Sequence, residues 1–231
     1  MTSADAFTDV TLSDSVARAL EGRALLAHPF YRRWEAGLLT QDDLAEYAVH
    51  YRAFEAALPG VLAAVVEDLH ADGELEAEAM VARNLDDELG RPEPHLALFD
   101  RFAGTLAGRA VSSTPGPAAE ALVQTYLDLG TDGPVATLAG LAAYETQASP
   151  IASTKAAGLR RFYGMDESDT EFWDVHATMD EEHGEWALEA LLVLGADPVE
   201  VAESARRAAD AWWAFLDERE AHAVVTAAAA G

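Results

Sequence analysis

The sequence predicts an all-α fold, and three observations carry that reading. Ala, Leu, Glu and Arg dominate the composition, apolar residues recur at spacings of three and four, and strand signals are nearly absent. With 50% of its 231 residues hydrophobic, the chain has enough apolar surface for one good core, so a single helical domain over residues 1–231 is expected.

The elements follow in order. Residues 1–12 are small and polar and are expected to fray, as is the tail 224–231, which has nothing to anchor it. A first helix runs from near Ser13 to Ala27, where His28-Pro29 breaks it, because the residue before a proline avoids the α region. A short piece from Phe30 to Ala36 ends at Gly37. Thr40-Gln-Asp-Asp43 has the form of a capping box and opens a long helix to His70. Along it Tyr47, Tyr51, Phe54 and Leu58 lie at helical spacing, and a kink is expected at Pro59. Ala71-Asp-Gly73 is a turn, and Glu74 to Leu89 form the next helix. Gly90-Arg-Pro92-Glu-Pro94 interrupts it before helix resumes from His95 to Leu106.

A Ser/Pro/Gly loop from Val111 to Pro117 precedes a helix from Ala118 to Leu129, and Gly130-Thr-Asp-Gly-Pro134 turns the chain again. Val135 to Ser149 is a helix of small residues suited to close packing, interrupted at Pro150 and continued by Ile151 to Tyr163. Ser168 to Leu194 reads as helix throughout and stops at Gly195. Pro198 takes a first-turn position of the last helix, which runs to His222.

Charge and composition exclude several functions. A net charge of -26 argues against nucleic acid or an anionic membrane as partner. With no cysteine there is no disulfide, thiolate metal site or thiol nucleophile. No 18-residue apolar run and no basic segment followed by an apolar one is found, so a cytoplasmic protein is expected. Trp212 and Trp213 are adjacent on the last helix, so one ring must point away from the core, and a homodimer that covers it is an expectation.

The basic residues are fourteen arginines and a single lysine, Lys155. Arginine serves wherever only positive charge is needed. A lysine amine with a lowered pKa also serves as base, nucleophile or nitrogen donor.

The stretch that organises the chain is His176-Ala-Thr-Met-Asp180-Glu-Glu-His183. At about 100° per residue, His176, Asp180 and His183 leave the helix within roughly 60° of one another. Phe172, Met179, Trp186 and Ala190 share or flank that stripe, so it faces inward, where imidazoles and carboxylates need partners or a metal. Glu88 and His95 are seven residues apart, about 20° out of register on a continuous helix. The Gly90 to Pro94 break makes that arm soft, and it is expected to order when metal or substrate binds. Glu145 is a lone acid among Leu141, Ala142, Ala143, Tyr144 and Ala148, a costly burial unless it is partnered.

Glu88-x6-His95, Glu145 and His176-x3-Asp180-x2-His183 together resemble the ligand signature of the haem-oxygenase-like dimetal oxidases. The likeness spans about residues 13–220 and includes His28-Pro-Phe-Tyr31, Trp34, Gly37-x2-Thr40 and Glu145-x-Gln147 leading to Lys155-x2-Gly158-Leu159. It implies a seven-helix bundle with two metal ions, Fe/Fe or Mn/Fe, that uses dioxygen as co-substrate and an external reductant. The imidazole and carboxylate set also suits iron or manganese by type, with Glu145 expected to bridge the pair. Thiaminase-like members of the fold need a cysteine that this chain lacks. A haem-oxygenase reading through His28 leaves the six-residue set unexplained.

Within that family the sequence most resembles the chlamydial death-domain-associating branch, which makes para-aminobenzoate for folate. The resemblance implies that the protein is its own substrate and uses no external organic substrate, with Tyr31 or Tyr47 giving the ring, Lys155 the nitrogen, and Tyr144 acting as a redox relay. The alternatives are a dimetal oxidase of a free small molecule (amino acid N-oxygenation, C–C cleavage or fatty-acid decarboxylation) and a non-enzymatic helical binding protein.

Overall fold

In a computed structural model the chain is described over residues 3–90 and 93–230. Nine α-helices are present among these residues: α1 (Ser3–Ala19), α2 (Pro29–Glu35), α3 (Gln41–Asp72), α4 (Leu75–Leu89), α5 (His95–Thr105), α6 (Pro117–Asp132), α7 (Pro134–Tyr163), α8 (Glu171–Val193) and α9 (Pro198–Ala230). A 3-10 turn at Leu25–Ala27 joins α1 to α2. The count exceeds seven because the breaks after Glu35 and Leu89 set off the short α2 and α5 as elements of their own. Arg91 and Pro92, part of the expected break, lie outside the described residues, as do Met1, Thr2 and Gly231 of the expected tails. Helical backbone extends further into both terminal segments than the sequence suggests, from Ser3 in α1 and to Ala230 in α9.

The start of α3 is fixed as the capping box requires. The Asp43 N–H donates to Thr40 Oγ1 at 3.0 Å, and the Thr40 N–H donates to Asp43 Oδ2 at 2.8 Å. Gly73, at φ 80°, ends the helix in the left-handed conformation that Cβ disfavours. α3 is long and apolar enough to cross a membrane by composition. Here it is the core helix of the bundle, packed against α4, α5, α6, α7 and α9, with Asp43, Glu46, His50 and Glu55 all buried on it.

Two prolines expected to disturb helices do not end them. Pro59 lies within α3 and Pro150 within α7, both continuous. The interruption expected at Pro150 is thus absent, because tertiary contact outweighs local propensity. Nearby Ser149 Oγ donates to the Ala177 carbonyl of α8 at 2.7 Å, and Ala148, Ile151 and Ala152 are buried beside it. The expectation of exposed tryptophans also fails in part. Trp212 is buried and stacks on Tyr144 with centroids 4.3 Å apart, and half-buried Trp213 packs edge-on against His28.

Gly184 on α8 shows why the two helices that carry most of the site approach closely. A Cβ there would lie 3.2 Å from the Thr146 nitrogen and 3.3 Å from the Glu145 carbonyl carbon. The missing side chain lets the backbone that bears Glu145 rest against the one that bears His183.

Candidate metal centre

Four helices contribute to one buried polar cluster. Glu88, His95, Glu145, His176, Asp180 and His183 each expose 7% or less of their surface. Glu88 ends α4 and His95 begins α5, and the break between them does not separate their side chains. Glu88 Oε1 lies 3.3 Å from His95 Nδ1 and 4.0 Å from His176 Nε2. The rings of His95 and His176 meet edge-on at 4.6 Å, and one ligand atom from each of these three residues lies within 4.8 Å of the others. A second trio adjoins it. His183 Nδ1 is 3.5 Å from Glu145 Oε2 and 3.7 Å from Asp180 Oδ1. The charge of Glu88 acts on both Glu145 and Asp180, so the trios form one electrostatic unit.

Outer partners set the imidazole tautomers. His176 Nδ1–H donates to the Phe172 carbonyl at 2.8 Å, which leaves the Nε2 lone pair facing Glu88. His183 Nε2–H donates to Asp87 Oδ2 at 3.2 Å, which leaves Nδ1 facing Glu145 and Asp180. This is how proteins orient imidazoles for a metal, with the far nitrogen tied to a carbonyl or carboxylate. Lone pairs aimed at carboxylate oxygens repel unless a proton or cation lies between them. The buried His95 Nδ1 and Glu145 Oε2 have no hydrogen-bond partner, a costly arrangement that a cation would satisfy. The residues present therefore fit a metal centre.

The protonation states agree. Burial pushes the Glu145 carboxyl up to about 7 against the pull of His183 and Asn84. Burial, reinforced by Glu145 and Glu88, raises Asp180 well above the usual carboxylate range. Burial lowers His176 to about 4. Burial alone would raise Glu88, but His95, 3.3 Å away, and the charges of the neighbouring imidazoles outweigh it and hold Glu88 low. Metal ions would take the place of the protons that Glu145 and Asp180 otherwise carry.

The remaining residues singled out by the sequence assemble beside this cluster. Lys155 exposes 1% of its surface, and its Nζ donates to Tyr47 Oη at 2.7 Å. Tyr47 Oη is in turn 3.0 Å from Tyr31 Oη. Five rings surround the amine, those of Tyr31, Trp34, Tyr47, Tyr51 and Trp173, with centroids 4.1–5.7 Å away. Burial depresses the Lys155 pKa well below its ordinary value, opposed by the charges of Glu55 and Asp180. Tyr144, next to Glu145, shares a 2.6 Å hydrogen bond with Tyr51, which stacks on Tyr47 at 5.2 Å.

Sequence reasoning passed over four residues here. Asp87 holds His183, and Asn84 Nδ2 donates to Glu145 Oε1 at 3.1 Å. Tyr51 links Tyr144 to Tyr47. Glu55, 3% exposed, is an acid in the apolar stripe of α3, the same signal that singled out Glu145. His28 is buried with both nitrogens engaged, Nδ1 accepting from the Phe30 N–H and Nε2 paired with Asp217, so it is not free to hold a haem iron. A cavity of about 420 Å³, lined by Asp86, Asp87, Glu93 and Glu171 among others, reaches His95.

Comparison with known proteins follows the same lines. The family described as "Iron-containing redox enzyme" matches residues 45–214. The chain is 37% identical over 221 residues to a 4-aminobenzoate synthase of Nitrosomonas europaea, covering 90% of each. It is 31% identical over 212 residues to a protein of the same name from Chlamydia trachomatis, covering 88% of this chain and 90% of the other. Among solved structures, a CADD-like protein of unknown function from Nostoc punctiforme superposes with a TM-score of 0.77 at 18% identity, covering 94% of this chain and 99% of that one. A domain with a haem-oxygenase-like fold from Shewanella denitrificans gives 0.71 at 17% identity, covering 92% of each.

Proposed function

The chain belongs to the iron-containing redox enzyme family, and from that premise we infer that this oxidoreductase makes 4-aminobenzoate for folate synthesis from its own side chains. The names of its relatives support the product. One observation carries the self-substrate reading: the chain's single lysine is fully buried with its amine against a tyrosine hydroxyl. In 4-aminobenzoate the nitrogen is para to the carboxyl group, as the hydroxyl of tyrosine is para to Cβ. The nitrogen must therefore arrive at the phenol carbon. Lys155 Nζ is held beside the Tyr47 hydroxyl, with that of Tyr31 one hydrogen bond further on.

Glu88, His95 and His176 would hold one ion and Glu145, Asp180 and His183 the other, as Fe/Fe or Mn/Fe. When bound, the pair supplies oxidising chemistry with dioxygen and an external reductant. The chain's own residues do the rest. Burial favours the neutral Lys155 amine, the form that acts as a nucleophile. The ring of aromatic walls excludes water that would compete for an oxidised phenol. The Tyr31–Tyr47 hydrogen bond gives the phenolic proton a neighbour to which it can pass. Tyr144, next to Glu145 in sequence, is hydrogen-bonded to Tyr51, a wall of this nest, which suits Tyr144 to a relay.

The test uses protein grown with ring-¹³C tyrosine and ¹⁵N-lysine, then reconstituted with iron(II), manganese(II), air and a reductant. 4-Aminobenzoate carrying both labels, released at no more than one per chain without added organic substrate, is the expected result. Product that forms only with an added substrate, and is unlabelled, overturns the self-substrate reading in favour of a free small molecule.

A further inference from the structure

Two divalent ions bring four positive charges into a region closed to water, and the six residues above return three carboxylates and three neutral imidazoles. One charge is left uncompensated, which is expensive in a buried site. Helical bundles that hold two such ions commonly use four carboxylates. The structure contains a fourth at this place. Glu55 lies on α3, which packs against α4, α5 and α7, three of the helices that carry the centre, and it exposes 3% of its surface. The charges of Glu88, Lys155 and Glu145 act on it, and it acts in turn on Asp180.

Tyr51, one turn earlier, directs its hydroxyl at Glu55, yet Glu55 Oε2 is buried without a hydrogen-bond partner. A carboxylate oxygen so placed lacks a cation, and nothing else on the surrounding helices supplies one: Lys155 points into its aromatic nest and bonds Tyr47. We propose that Glu55 is a fourth carboxylate of the metal centre, binding from α3 through the oxygen that has no partner in the chain. Glu55 then closes the charge balance of a divalent pair. Glu55 is carried by the same helix as Tyr47 and Tyr51, so such a bond would tether α3 and its tyrosines to the metal site.

This rests on the metal reading of the six residues but not on the product, so its test reads metal rather than 4-aminobenzoate. Anaerobic titration of metal-free protein with iron(II), followed by gel filtration and metal analysis, is expected to leave two ions per wild-type chain. Glu55→Gln should keep one of them and bind the second about 10–100-fold more weakly, with an altered Mössbauer spectrum. Wild-type stoichiometry, affinity and spectrum in Glu55→Gln would overturn the assignment. Should that variant fail to fold, anomalous diffraction from manganese(II)-loaded wild-type crystals decides: a Glu55 oxygen within bonding distance of an ion upholds the assignment, and two ions fully ligated without it overturn it. Failure of metal binding in wild type would instead sink the centre as a whole, and absence of 4-aminobenzoate with normal binding would sink only the self-substrate reading.

Discussion

Replacing Lys155 with methionine separates a chemical role from a structural one. The Lys155 amine makes one hydrogen bond, to Tyr47, and sits within 4.1 Å of the Trp173 ring centroid. As a neutral amine, its loss costs one ordinary hydrogen bond, about 1 kcal/mol. Tyr47 is not orphaned by the change, since Tyr31 remains 3.0 Å away. Methionine keeps the unbranched stem, fills the aromatic pocket and adds a favourable sulfur–ring contact of about 0.3–1.5 kcal/mol. The net change is therefore within about 1 kcal/mol, or roughly 2–4 °C in Tm for a chain of this size. Calorimetry of the metal-free protein reads the stability, and mass spectrometry of the reconstituted protein reads the product, which should vanish. Full product yield from Lys155→Met refutes the nitrogen-donor role. A loss above about 3 kcal/mol, the scale at which a buried ion pair is broken, refutes the neutral amine.

Other expectations follow from the same geometry. Asp87→Asn replaces the carboxylate that fixes the tautomer of His183, and iron(II) affinity measured by titration should fall about 10–100-fold with little change in Tm. Gly184→Ala places a Cβ against the backbone of residues 145 and 146, so it should cost about 1–3 kcal/mol in chemical denaturation and loosen metal retention together. In the metal-free protein Glu145 by itself should lower stability as pH rises. Glu145 holds its proton to about 7 when folded, against an ordinary value of 4.5, so the unfolded chain releases that proton first. At about 1.4 kcal/mol per unit this group removes roughly 3 kcal/mol between pH 4.5 and 7. His176 acts in the opposite sense: its folded value of about 4 lies below the ordinary 6.5, so its contribution is lost as pH falls through that interval. Metal-free melting curves from pH 4 to 8 for wild type, Glu145→Gln and His176→Gln separate the two, and a Glu145→Gln curve with the wild-type pH dependence would contradict the Glu145 contribution.

Much of this was legible before any coordinates, for physical reasons that differ by residue. His176, Asp180 and His183 share one helix, so spacing alone placed them on one face. Glu145 was legible because an acid in an alanine-rich run has no bland explanation. Glu55 carries the same signal on α3 but was obscured by Glu46 and the other acids of that helix, and only burial distinguishes it. Asp87 was hidden beside Asp86 and Glu88 in an acidic run where sequence gives no face. The error at Pro150 has a different origin. Local propensity predicts a break there, but α7 is held against α8 by Ser149 and by small buried residues, contacts that no window along the chain contains.

The spacing along two helices explains how the tyrosines of α3 come to lie beside the lysine of α7. Tyr47, Tyr51 and Glu55 recur every four residues on α3, so at 1.5 Å rise per residue they span about 12 Å. On α7, Lys155 and Glu145 are ten residues apart, about 15 Å. Tyr47 pairs with Lys155 at one end, and Glu55 and Glu145 face the centre at the other, so the two helices run antiparallel past each other. Among the described residues no hydrogen bond joins Tyr31 or Tyr47 to one of the six metal-facing side chains. For oxidation of either ring the structure offers the 2.6 Å Tyr51–Tyr144 hydrogen bond, with Tyr51 stacked on Tyr47, and an aromatic contact chain from His176 through Phe172 to Trp173 beside Lys155. Buried phenols that bond to each other and to no carboxylate of the cluster save Glu55 hold their protons tightly, since burial raises both Tyr51 and Tyr144 well above the ordinary value. Such a pair passes an electron only if a proton moves with it, and the short hydrogen bond between the two oxygens provides that path. The aromatic stripe of α3, which packing alone would account for, thus also links Tyr144, beside Glu145 in sequence, to the Tyr47–Lys155 pair.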